Sequence, residues 1–403
     1  MKRSARFEVD LDLLTHNFMA VRAELAAGPP GRDGRPPRLA AVLKANAYGL
    51  GSVAVAGELL AAGADLLAVA CLPEALELRR SYPEAPILVM GHTPTEYLDD
   101  AARSGLRVAL FEWEQAEALS AASRALGTRT RVHVKIDTGM NRLGLKPGAG
   151  SAQLIARMAG LPGLCLEGIF THLALRSPEA DAAQFRMFQE VVLAAEAAGA
   201  VFPLRHVCDS IGMLRYPEMR LDLVRAGAVL YGVKPLRAPR GDAMDIRTPF
   251  ALRARISRVC RVEAGEGAGY DESWTAPAGG AVIATVPVGY ADGYSRSLSN
   301  KAEAVVRGRR ARVLGLVMMD QLTLDVTGVP GAAAGDEVLL LGRCGADEVA
   351  VLELAEWAGT NRNEIISTVG RRVPRVYRRG ARVVGVWDDL LDPDCPFVIG
   401  DRP

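Results

Sequence analysis

Between residues 39 and 224 the chain alternates short apolar runs with longer amphipathic stretches. The runs fall at 39–43, 66–70, 87–90, 108–111, 132–136, 164–170, 205–208 and 221–224. They are short and almost continuously apolar, as expected of strands covered on both faces. The intervening segments are mostly helical in spacing. The clearest spans 178–198, with Ser177 as N-cap and Pro178 at the first helical position. An earlier helix is expected over 10–27, where Leu14, Phe18, Val21 and Leu25 share one face and Asp10 or Asp12 caps. Eight strand candidates with mostly helical connections predict a (β/α)8 TIM barrel; a doubly wound open sheet would give the same alternation.

The texture changes at 232–249 (GVKPLRAPRGDAMDIRTP), where prolines and glycines break the pattern. Beyond it lie β-rich runs at 252–262, 281–288, 302–306, 311–319, 322–326 and 337–341. Gly308-Arg309 sits between two of them like a hairpin turn. Helical segments at 351–357 and 364–369 precede the last strands, 375–377 and 381–387. The expected division is a barrel over 1–245, a mainly antiparallel β domain over 246–390 and a tail over 391–403.

Composition narrows the function classes. The formal net charge is +1, which argues against nucleic acid or an anionic membrane as the main partner. The six cysteines are scattered, with no CxxC pair, as in a protein that keeps its thiols reduced. Lys2, Arg3 and Arg6 are followed by Glu8, Asp10 and Asp12 where a signal peptide needs an apolar core. No run is long enough to span a membrane. The expected location is cytoplasmic. No HExxH or Cys/His cluster suggests a metal, and no GxxxxGK[ST] loop suggests a nucleotide.

In a barrel the strand C-terminal ends carry the chemistry. Lys44 stands at the end of the first run, with Tyr48 in the turn after it. Of the 48 lysines and arginines only six are lysine, so a lysine here points to a need for a primary amine. Asp137 to Arg142 follow the fifth run, His172 ends the sixth, Asp209-Ser210 ends the seventh, and Arg225-Ala226-Gly227-Ala228 ends the eighth. Each has a plainer reading: a snorkelling lysine, a satisfied core histidine, a helix cap, a buried ion pair. Their coincidence on one rim favours a shared site. An amine, a late cradle of hydroxyl and backbone N–H groups for a dianion, and a fixed cation together describe a pyridoxal phosphate site.

The ordered set VLKANAYGLG, HVKIDTGMNRLG, GIFTHLA, DSIGM, RAGAVLYG, the GYDES tyrosine, VPVGYADGYSR, VMMDQLTLDV and RRVPRVY resembles the alanine racemase family from residue 7 to about 377. The resemblance implies a barrel plus β domain in a head-to-tail homodimer with shared active sites, acting on a small amino acid and supplying D-alanine for peptidoglycan. Lys44 resembles the lysine that carries the cofactor, and Tyr48, Ser210, Gly227 and Ala228 resemble phosphate-binding positions. Arg225 resembles the arginine facing the pyridine nitrogen, with His172 between it and a catalytic tyrosine. Arg142 resembles the arginine near the substrate carboxylate, and Lys135 a lysine often carbamylated. Tyr270, Met319 and Asp320 would come from the partner subunit. The implied chemistry has two bases, Lys44 and the partner's Tyr270, serving opposite faces of the substrate Cα. An ordinary tyrosine titrates near ~10, so the Arg225–His172 pair would have to stabilise the phenolate.

Four positions depart from the family pattern. Asp209 replaces an asparagine, Asn363 a tyrosine, and Leu316 and Ser177 a more charged pair along the entry path. The smaller Asn363 opens an alternative of serine or mixed alanine/serine racemisation. More remote alternatives are a pyridoxal phosphate-dependent decarboxylase, which Arg225 opposes because that chemistry wants a protonated pyridine, and a non-catalytic cofactor carrier.

Overall fold

Phe7 and Val9 alternate with Arg6, Glu8 and Asp10, and these five residues form a strand, β1 (Arg6–Asp10), buried on its apolar side. The computed structural model describes residues 3–391 apart from 149, 236, 237, 239 and 240. All but the first residue of the expected tail 391–403 lies outside the described residues. Asp10 then caps the helix Leu11–Ala26 by accepting from the Leu13 amide.

The eight apolar runs become eight parallel strands within two residues of their expected limits: β2 (Arg38–Val42), β3 (Leu66–Val69), β4 (Ile87–Val89), β5 (Arg107–Leu110), β6 (Thr130–Lys135), β7 (Leu164–Phe170), β8 (Leu204–His206) and β9 (Leu223–Ala226). They pair in the order β8-β7-β6-β5-β4-β3-β2-β9. Backbone bonds from Asp222 N to the Arg205 carbonyl (3.1 Å) and from Arg225 N to the Cys208 carbonyl (3.1 Å) draw β9 against β8 and close the barrel. This decides between barrel and open sheet.

Strand parity divides the barrel interior into unlike halves. On β2, β3, β4 and β9, Ala40, Leu66, Leu88 and Leu223 form an apolar cluster separate from the main core. Toward β6, β8 and the end of β9 the interior positions are polar, while Val132, Val134, Val207, Val224 and Ala226 face outward into the main core. His133, Lys135, His206 and Arg225 alternate with them and are all buried.

The remaining strands are β10 (Phe250–Arg255), β11 (Arg258–Val262), β12 (Ala281–Val286), β13 (Glu303–Val306), β14 (Arg309–Leu314), β15 (Leu322–Asp325), β16 (Glu337–Cys344), β17 (Asp347–Val349), β18 (Arg375–Arg379) and β19 (Arg382–Trp387). They form a largely antiparallel sheet in the order β11-β12-β15-β14-β13-β16-β10-β1-β18-β19, with β17 on β16. Arg307 (φ +50°) and Gly308 (φ +73°) turn β13 into β14, a two-residue hairpin with both central residues left-handed.

Two features differ from the sequence reading. The run 252–262 is not one strand: it breaks at Ile256-Ser257, and its halves occupy distant places in the sheet. Residues 6–10, expected within the barrel unit 1–245, lie in the β-domain sheet, antiparallel to β10 and parallel to β18. Five residues of alternation are too few to stand out beside the helix that follows. Glu8 with Arg6 (2.7 Å) and Arg253 (3.2 Å) ties the polar face of β1 down. Among the described residues no helix is long and apolar enough to cross a membrane.

Candidate active site

At the C-terminal ends of the barrel strands lies a cavity of about 380 Å³. Lys44, two residues past the end of β2, opens onto it. The next four residues, Ala45, Asn46, Ala47 and Tyr48, all have φ between +52° and +54°. Such a left-handed turn costs about 1–2 kcal/mol per residue without a glycine. Strain of this kind persists where surrounding structure enforces it, commonly at functional sites. Ala47 and Tyr48 are buried, and the Tyr48 ring packs on Tyr231 with centroids 4.8 Å apart. Burial, and then Asp209, push the Tyr48 phenol up to about 12. Partial burial, and then the Arg142 guanidinium, hold the Lys44 amine below the ordinary lysine range.

Arg225 lies across the cavity floor, buried, with no carboxylate among its hydrogen-bond partners in the described residues. Its Nη2 donates to the carbonyls of Thr171 and Val207 (both 2.9 Å) and to His172 Nδ1 (3.2 Å); its Nη1 donates to His206 Nδ1 (2.7 Å). Burial lowers its guanidinium to about 10, which leaves it charged at neutral pH. Because arginine only donates, both histidines must accept at Nδ1 and carry their proton on Nε2. Burial, followed by Arg225, pulls His172 down to about 4, so this ring is neutral with an Nε2–H to offer.

The same logic extends inward along the polar half of the barrel. His206 Nε2 donates to His133 Nδ1 (2.8 Å), and His133 Nε2 donates to Glu167 Oε2 (3.1 Å). Arg107 closes the chain on Glu167 at 2.6 Å. Burial raises the Glu167 carboxyl, but the hydrogen bonds from His133 and Arg107 outweigh it and hold the group at about 2. Sequence reading missed His133, His206 and Glu167. The available signal was parity: His133 stands two residues before Lys135 on the same strand and so faces the same way.

The cradle is assembled from β8 and β9. Gly227 N donates to Ser210 Oγ (3.1 Å), and Ala228 lines the cavity beside them. A side chain at position 227 would bring its Cβ within 2.7 Å of the Tyr48 hydroxyl, so glycine is needed for this approach. Asp209 is turned onto its own loop, where Oδ1 accepts from the amides of Ile211 (2.9 Å) and Gly212 (2.8 Å). It is the one carboxylate among the described lining residues, against Lys44, Lys135, Arg142 and Arg225. The cavity is therefore net positive.

Lys135 is buried, with Nζ 2.6 Å from the Ile136 carbonyl. Burial, and then Arg225, bring its amine to about 7. Asn363, on the helix Arg362–Ser367 of the β domain, lines the cavity from above. Ser177 spends its hydroxyl capping the helix Pro178–Ala197, accepting from Ala180 N at 3.3 Å.

Three sequence-selected residues are not in this cavity. Tyr270 is 63% exposed on a short turn after Gly269, and Met319 is 53% exposed. Asp320 pairs with Arg372 at 2.7 Å on the β domain. The chain brings ten of its candidates to one cavity and leaves these three facing outward.

Residues 9–235 match the family model for the alanine racemase N-terminal domain and residues 250–377 that for its C-terminal domain. The alanine racemase of Desulfovibrio desulfuricans is 41% identical over 92% of this chain and 97% of its own length. That of Desulforamulus reducens is 39% identical over 94% of this chain and 100% of its own. Among solved structures, Clostridium difficile alanine racemase superposes with a TM-score of 0.90 at 32% identity, covering 97% of this chain and 100% of that one. The Bacillus anthracis enzyme, solved with bound L-Ala-P, gives 0.88 at 31% identity over 97% and 99%.

Proposed function

We propose, from the premise that this chain belongs to the alanine racemase family, that it interconverts L- and D-alanine with pyridoxal phosphate held in the barrel mouth. The observation carrying this reading is the convergence of Lys44, Arg225 and the Ser210–Gly227 cradle on one net-positive cavity.

The residues present fit that cofactor. Ser210 Oγ, the Gly227 and Ala228 amides and the Tyr48 hydroxyl would hold its phosphate, where Arg142, Arg225 and the two lysine amines face one diverted carboxylate. Lys44 would hold it through its amine. When bound, pyridoxal phosphate supplies the electron-withdrawing ring that makes an amino acid's α-proton removable. Arg225, charged and unable to accept, would disfavour a proton on a ring nitrogen set against it, which would limit side reactions and opposes the decarboxylase reading.

Lys44, its amine held below the ordinary lysine range by burial and then by Arg142, moves a proton at one face of the substrate Cα. Tyr270 of the partner subunit serves the opposite face, its oxygen stabilised by the His172 Nε2–H that Arg225 keeps available. Arg142 orients the substrate carboxylate. Lys135 as a carbamate would bridge toward Arg142 and remove an unpaired buried cation. Met319 and Asp320 of the partner would complete the wall. The assembly is then a homodimer, cytoplasmic, feeding D-alanine to peptidoglycan.

Incubating the purified protein with L-alanine or L-serine, followed by chiral chromatography, tests the reading. D-alanine is the expected product. Absence of D-alanine, or release of carbon dioxide instead, would overturn it. The relatives carry alanine in their names, so the broader serine reading is not favoured; the serine arm measures what Asn363 permits.

A further inference from the structure

We propose that Glu74 is a positioning residue for Lys44, clamping the amide directly behind the lysine so that the amine enters the cavity in one direction. This rests on the reading of Lys44 given above.

The left-handed turn Ala45–Tyr48 is costly for residues with a Cβ and must be held by its surroundings. Glu74 lies in the first turn of the helix Leu72–Ser81. A carboxylate three residues into a helix commonly folds back on the residue before the helix. Here it meets the Cys71 thiol before the helix and also reaches two backbone amides beyond it. Oε1 accepts from Ala45 N at 2.6 Å, and Oε2 accepts from Ala70 N at 2.8 Å. Ala70 follows β3 and lines the same cavity as Lys44. One carboxylate thus ties the lysine's turn to the mouth of the neighbouring strand.

The same helix also grips the far side of the turn. Asn46 Oδ1 accepts from Ser52 N (2.6 Å), and the Ser52 hydroxyl donates to Glu77 (2.7 Å). From the opposite side, Arg375 Nε donates to the Gly49 carbonyl (3.0 Å) and Tyr377 Oη to the Leu50 carbonyl (3.0 Å). Of these contacts only Glu74 touches the residue adjoining Lys44. Its negative charge also opposes the effect of Arg142 on the amine, so it acts on both direction and ionisation.

A plainer role, capping the helix Leu72–Ser81, would lower stability without singling out Lys44. The full chain loaded with pyridoxal phosphate distinguishes the two, compared as wild type, Glu74→Gln and Glu74→Asp. Glu74→Gln keeps the shape but retains at most one acceptor; Glu74→Asp keeps the charge with a shorter reach. Residue-resolved amide exchange at Ala45 is expected to rise about tenfold in Glu74→Gln, as for a lost hydrogen bond to a charged group. The α-deuterium isotope effect on kcat/KM should increase for D-alanine, whose proton Lys44 takes, and decrease for L-alanine. Glu74→Asp should fall between. Unchanged Ala45 exchange with isotope effects equal to wild type, whatever happens to Tm, would overturn the clamp. Borohydride reduction of the wild type identifies the residue carrying the cofactor. Reduction onto a residue other than Lys44 overturns the site reading and the clamp together, whereas reduction onto Lys44 with unchanged exchange overturns the clamp alone.

Discussion

Two turns carry the candidate bases, and both use left-handed backbone to present a side chain. Around Lys44 the strained residues Ala45–Tyr48 are walled in by a strand, a helix and β18 of the second domain. The turn at Tyr270 is also left-handed, at Gly269, Asp271 and Glu272 (φ +78°, +57°, +41°), but the tyrosine points into open solvent. The first turn is explained within one chain. The second leaves an aromatic ring largely exposed, as is Met319. An exposed tyrosine and methionine, set apart from the other candidate residues, are what the shared-site proposal needs a second copy to cover.

The largest expected effect comes from deleting either base. Lys44→Ala and Tyr270→Phe should each lower racemisation by at least ~10³-fold, in the upper range for a general acid–base group. Their other consequences differ. Tyr270→Phe, at an exposed site, should leave stability within about 0.5 kcal/mol of wild type and abolish α-proton exchange from L-alanine before that from D-alanine. Equal residual exchange of both isomers in solvent deuterium oxide would break the assignment of opposite faces.

A smaller effect concerns acid. His172, His206 and His133 all have folded pKa values depressed chiefly by burial. Below about 6.5 the unfolded chain therefore binds more protons than the folded one. Stability should accordingly fall as pH drops from about 6.5 toward 4, by up to a few kcal/mol. Urea titrations across that window measure it, and His172→Gln should flatten part of the slope. A pH-independent midpoint would show that these rings are not held neutral.

The smallest effect concerns Lys135. With its amine near 7, a substantial neutral fraction is available to attack carbon dioxide, forming a carbamate and releasing a proton. Rates in carbon dioxide-free buffer should fall a few-fold and recover with bicarbonate, more completely above neutral pH. Identical rates with and without bicarbonate would remove the carbamate from the site.

The barrel was legible because eight apolar runs with caps at the right places leave few topologies, and Ser177-Pro178 marked its helix start within one residue of the observed one. Strand β1 was not, since its stability comes from β10 and β18, hundreds of residues away in the chain. Lys44, Ser210 and Arg225 were legible by position at strand ends. His206, His133 and Glu167 were hidden within strands, where only inward parity distinguishes a polar residue from a surface one. Glu74 was hidden for another reason: an acidic residue early in a helix already has an ordinary explanation in the helix dipole. The diverted carboxylate of Asp209 depends on loop geometry that no spacing rule encodes.

The sharing of one site between two chains is tested most directly by mixing two inactive proteins. Lys44→Ala and Tyr270→Phe homodimers, each without activity alone, are combined, dissociated and allowed to reassociate. In a hybrid dimer one site carries both substitutions and the other neither. Shared sites therefore predict recovery to about one quarter of wild-type activity at equal mixing, and sites built from a single chain predict none.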